Sequence, residues 1–175
     1  MKKIVIADGW PLIALARIGQ LGLLPRLFGT VLLTDLVTDE LMRGGVFADS
    51  AALQQVLAAP WLETVKTSAH DLLKCRDWIN LHQIDMGEAS ALVLASTHAN
   101  LGDDVLIMLD DARGRQAALH AKLNVLGTAG LLILAKNAKL IGEVKPLLLA
   151  LQAEQYFLSE RLVKAVLKLA GEDSV

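Results

Sequence analysis

Apolar residues run without polar alternation at Lys2–Ala7, Val31–Leu33 and Val105–Leu109. Such runs suit short strands buried on both faces, as in a parallel sheet. Asn124–Leu126 is a further short strand, and Trp61–Lys66 reads as an edge-like strand or an extended linker. Between these runs the apolar positions take a helical spacing. Pro11 suits the first turn of a helix with Asp8 or Gly9 near its cap, and Leu12, Leu15, Ala16 and Gly19 continue one face. Leu21–Phe28 is a second short helix. Thr34 or Asp35 caps Asp35–Arg43, which Gly44-Gly45 terminates, and Asp49 or Ser50 caps a helix to about Leu57. Helices are also predicted over Ala69–His82, Glu88–Thr97, Arg113–Lys122, Ala129–Asn137 with Thr128 as its cap, Glu143–Ala153 and Ser159–Ala170. Strands alternating with helices from end to end predict a three-layer α/β/α sandwich around a mostly parallel sheet. Residues 1–175 are expected to form one domain.

Composition narrows the picture. Apolar residues make up 54% of the chain, yet none of its stretches reaches the roughly 18 uninterrupted apolar residues of a membrane span. The excess therefore fits a fully covered sheet or an oligomer interface. The aliphatic stripes in Leu21–Phe28 and Val144–Leu151 point to subunit contacts and a homodimer. The opening MKKIVIADGW has four apolar residues, Ile4–Ala7, before Asp8, so no secretory signal is expected. A single cysteine, Cys75, excludes an intramolecular disulfide and fits a reducing cytoplasm. With a net charge of −2 the chain has no global attraction for nucleic acid, so a polyanion needs a local patch or metal ions.

Candidate chemistry lies with the carboxylates. Asp8 follows the first strand, and the adjacent Asp110 and Asp111 follow the run Val105–Leu109. Open α/β sheets place ligands at the C-terminal ends of their strands. Glu40 lies within TDELMRGG, and Glu88 in the first turn of a helix whose following residues are almost all apolar. Acids gathered on one rim raise one another's pKa unless cations neutralise them. Hard divalent ions such as Mg²⁺ or Mn²⁺ suit oxygen ligands of this kind.

The segments IADGWPLIALARIG, VTDELMRGG, IDMGEASALVLA, LIMLDDARGRQAA and NVLGTAGLLILAK resemble successive blocks of the PIN-domain nucleases, more narrowly the DUF3368 branch. That branch is similar to the toxins of type II toxin–antitoxin pairs. The resemblance spans nearly the whole chain, with helices at about 143–170 as a family-type C-terminal extension. It implies a metal-dependent endoribonuclease that hydrolyses RNA with one or two Mg²⁺ or Mn²⁺ ions, an antitoxin protein as partner, and the dimers common among PIN-like proteins. Matched position by position, Asp8, Glu40, Glu88 and Asp110 are the catalytic, metal-binding acids, with Asp111 as an additional metal ligand. Glu88 stands where many PIN domains carry aspartate, which leaves open whether it meets the metal directly or through water. Arg113 and Arg115 are candidate phosphate contacts, and Thr128 a candidate for holding a metal-linked water.

Each residue also has a plainer explanation. Asp8, Asp111 and Glu88 suit helix N-termini. Glu40 and Asp39 suit a solvated helix face. Arg113 and Arg115 could simply pair with the acids. The histidines His70, His82, His98 and His120 lack metal-ligand spacing. Trp10, Trp61 and Trp78 suit a core better than a base-stacking platform. Two other functions compete with the nuclease: a catalytically silent RNA- or partner-binding module on the same fold, and a phosphoacceptor receiver domain. The receiver places its acid pair after the first strand, whereas this pair follows a late one.

Overall fold

Strands β1 (Lys3–Ala7), β2 (Val31–Thr34), β3 (Leu62–Val65), β4 (Asp104–Met108) and β5 (Asn124–Leu126) form one sheet in the order β3-β2-β1-β4-β5. Every pairing in it is parallel. The computed structural model describes residues 2–43 and 51–172; Gly44, Gly45, Asp49 and Ser50, assigned above to helix ends, lie outside the described residues. Trp61–Lys66 thus resolves into an edge strand, paired with β2 from Val31↔Leu62 to Thr34↔Val65.

The strands lack polar alternation because both faces of the sheet are covered. Val5 and Ala7 point into one core with Leu33 and Met108. Ile4 and Ile6 point into the other with Val105 and Ile107. Helices α1 (Gly9–Arg17), α2 (Leu23–Phe28), α3 (Asp35–Arg43), α4 (Ala51–Leu57), α8 (Thr128–Asn137), α9 (Lys145–Ala153) and α10 (Glu160–Leu169) supply the first core. Helices α5 (Ala69–His82), α6 (Met86–Asn100) and α7 (Ala112–His120) supply the second. The result is an α/β/α sandwich.

Helix α6 is the most enclosed helix. Its buried run Gly87–Val93 is rich in small residues, which let it approach the sheet and α3 closely. A helix without a polar face is stable only when surrounded.

The aliphatic stripes are used within the chain. Leu21, Leu23 and Leu24 of the first, and Val144, Leu148 and Leu151 of the second, are buried in the first core. The apolar argument for a dimer loses those residues. Among the described residues no helix is long and apolar enough to cross a membrane. Cys75 is buried on α5, and Trp61 and Trp78 pack against the two cores, as expected for structural residues.

A carboxylate secures the end of the described chain. Glu172 accepts the Lys136 ammonium at 2.7 Å and the amides of Val144 and Lys145 at 2.6 and 2.8 Å. It thereby supplies the cap that α9 lacks at Val144, whose own side chain cannot accept a bond.

Candidate metal centre

The strand order reverses between β1 and β4, which makes their C-terminal ends the switch point where open parallel sheets bind ligands. The Asp8 amide donates to the Met108 carbonyl at 3.0 Å, so Asp8 emerges from the sheet at that point. Its carboxylate caps α1 by accepting the Trp10 amide at 3.4 Å, yet the residue is only 3% exposed. Burial pushes the Asp8 carboxyl up to about 7, and the negative charges of Asp85 and Glu40 add to the effect.

Glu88 reaches the same region from α6. Its amide donates to Asp85 Oδ1 at 2.8 Å, and its carboxylate accepts the Asp85 amide at 3.3 Å, a capping box. Glu88 too is buried, and burial followed by repulsion from Asp85 and Asp8 pushes it up to about 7. Glu40, on the open side of α3, accepts the Gly87 amide at 3.1 Å. Partial desolvation and the charge of Asp85 raise its pKa as well. The Glu40 carboxylate lies over the bare Cα of Gly87, where a Cβ would come within 2.9 Å of Glu40 Cδ and displace it.

Among the described residues no cationic side chain forms an ion pair with these acids. Ion pairs between described side chains join Arg43 to Asp39, Lys74 to Asp71, His98 to Asp103 and Lys136 to Glu172, and none includes Asp8, Glu40, Asp85 or Glu88. A cluster of oxygen donors, two of them buried and repelling each other, has the chemistry that a hard divalent ion relieves. The donor chemistry of Asp8, Glu40 and Glu88 would suit such an ion. As the side chains stand, no three acids among the described residues converge in a ready coordination geometry. Glu40 and Glu88 are held by backbone amides instead.

The remaining candidates occupy neighbouring positions. Asp110 turns toward α8, where Oδ1 accepts the Thr128 amide at 2.8 Å and Oδ2 the Thr128 hydroxyl at 2.6 Å. Thr128 is thus the first residue of α8 and not its cap; Gly127 holds the cap position, and the capping oxygens come from Asp110. Asp111 is exposed and caps α7, accepting the amides of Arg113 and Gly114 at 2.7 and 3.1 Å. Arg113 is also exposed and donates to the Gln83 carbonyl, while Arg115 donates to the Leu109 carbonyl, each at 3.1 Å. Neither arginine forms an ion pair with the acids.

Three residues were missed in the sequence. Asp85 stands among Asp8, Glu40 and Glu88, and the spacing Asp-x-x-Glu at 85 and 88 was a legible capping signal. Tyr156 hydrogen-bonds Asp110, and burial together with that charge holds its hydroxyl well above the ordinary range. No local pattern announces this long-range contact. Trp10, which from the sequence suits a core better than a stacking platform, is half exposed and lines the acidic cavity.

Thr128→Val tests the second position. It removes the hydroxyl bond to Asp110 while keeping the shape of the side chain, so a loss of about 1–2 kcal/mol is expected in urea unfolding. An unchanged midpoint would show that the bond is idle.

Fold and rim together define an α/β sandwich with an acidic cleft at its switch point. The PIN domain model of DUF3368 matches residues 4–172, and the chain belongs to that family. PIN domains have a nuclease-type fold and typically use divalent metal ions. No curated protein matches the chain.

Proposed function

We propose that this PIN domain is a Mg²⁺- or Mn²⁺-dependent endoribonuclease, the toxin of a type II pair, acting in the cytoplasm as a homodimer and restrained by an antitoxin. The single observation that carries the nuclease reading is the uncompensated acid cluster Asp8, Glu40 and Glu88 at the β1/β4 switch point. When bound, the cation would acidify a water and offset charge developing on the phosphate. The chain's own residues supply the frame. Asp8 is fixed by the first turn of α1, and Glu40 by the Gly87 amide. Glu88 is tied to the start of α6 through Asp85. Asp110 braces the start of α8 beside them, and Asp111 the start of α7. Arg113 is exposed near this rim and would meet a phosphate.

The test is cleavage of a panel of single-stranded RNAs with Mn²⁺, stopped by chelation. Because protons compete with the metal for Asp8 and Glu88, Mn²⁺ should raise the melting temperature more at pH 8 than at pH 6. No cleavage and no metal-induced shift at either pH would reject the reading.

A second function, a catalytically silent RNA- or partner-binding module, is favoured by one observation: both Asp110 oxygens are engaged by Thr128. RNA binding without cleavage in Mn²⁺ would support it. A small upstream gene for a DNA-binding protein would support the toxin role.

A further inference from the structure

Gly9, the first residue of α1, lies against α3: a Cβ there would meet Leu41 Cδ2 at 3.3 Å. With Gly9 and the buried Pro11 turned inward, Trp10 between them faces outward and is 50% exposed. The half-open indole presents an aromatic face on which a planar ligand can stack. The indole is not on an arbitrary surface. It lines a cavity of about 290 Å³ together with Ile13, Leu41 and the acids Asp8, Glu40 and Asp85. Its backbone amide is the one that holds Asp8 Oδ2, so ring and carboxylate are fixed to a single turn of chain.

We infer that Trp10 is a stacking platform for one unpaired nucleobase, positioning single-stranded RNA over the carboxylates. This rests on the proposed nuclease function and adds what selects the substrate's form. The cavity is at the small end for a ligand site and suits one planar ring system beside the acids, not a folded ligand. Bases offer a π-face whatever their identity, so stacking holds the strand without reading its sequence. A base within a duplex is already stacked on its neighbours and is unavailable. Trp10 is thus a positioning residue that favours single strands; the acids would carry the chemistry.

The experiment uses the full chain with Trp61→Phe and Trp78→Phe, which leaves Trp10 as the sole indole. An eight-nucleotide single-stranded RNA of mixed sequence is titrated in Ca²⁺, and cleavage of the same strand is followed separately in Mn²⁺. Indole fluorescence should be quenched on binding. In the otherwise wild-type chain Trp10→Ala should weaken binding and raise KM about tenfold with kcat little changed, and Trp10→Phe should recover most of the loss. Binding of the same sequence as a duplex should not respond to Trp10→Ala. Unquenched fluorescence, or equal single-strand affinity in wild type and Trp10→Ala proteins of matching thermal stability, overturns the inference while leaving cleavage intact. Quenching with Phe rescue but without cleavage keeps the inference and rejects the nuclease reading. A wild-type chain that neither binds nor cleaves RNA rejects both.

Discussion

Asp8→Asn should make the metal-free protein more stable at pH 8 while lowering Mn²⁺-dependent cleavage roughly a hundredfold or more. The Asp8 carboxyl is raised from an ordinary 3.8 to about 7, so the folded protein holds this proton more tightly than the unfolded chain does. That preference stabilises the fold fully below pH 3.8 and is lost as pH rises through 7. At pH 8 the fold carries a buried, ionised carboxylate at a cost of about 4 kcal/mol relative to strong acid. Asparagine keeps an oxygen for the Trp10 amide, so the cap on α1 survives, and it brings no charge to bury. Urea unfolding in chelator should show a gain of about 2–4 kcal/mol at pH 8 that fades by pH 4. A variant less stable than wild type at pH 8 would mean that the charge is compensated, and the metal argument would fall with it.

Gly87→Ala separates function from stability in the opposite way. The added methyl would overlap the Glu40 carboxylate, the free end of a flexible side chain on an open helix face. Glu40 can swing out, and alanine is the better helix former by up to about 1 kcal/mol, so urea stability should change by less than that. The carboxylate would no longer sit on the Gly87 amide beside Asp8, and affinity for Mn²⁺ should fall about tenfold or more. Calorimetric titration with Mn²⁺ measures this directly. Unchanged affinity would remove Glu40 from the metal set.

The sheet was legible because burying both faces leaves unbroken apolar runs, and Val105–Leu109 is the clearest of them. Acids at strand ends and at the start of α6 were legible for the same reason, since they interrupt an otherwise apolar text. Side-chain direction was not. Asp110 is two residues past β4, but its oxygens are claimed by Thr128 on α8, a partner that only the packed structure brings close. The same holds for Trp10, since nothing in the local sequence distinguishes a core indole from one turned outward by tight packing at Gly9. The stripes in α2 and α9 suggest subunit contacts from the sequence, whereas Leu23, Leu24, Leu148 and Leu151 are buried within the chain.

The central pairing has a consequence for how the protein is made. β1 pairs with β4, joining residues 3–7 to residues 104–108, so the strand that carries Asp8 lacks one of its neighbours until most of the chain exists. Chains are synthesised from the N-terminus, and long-range parallel pairing is slow to form. Asp8 and Glu40 therefore leave the ribosome well before Glu88 and the strand that brings the switch point together. A nascent chain holds the acids without the site, and the proposed RNA-cleaving activity would begin only after most of its own message has been translated.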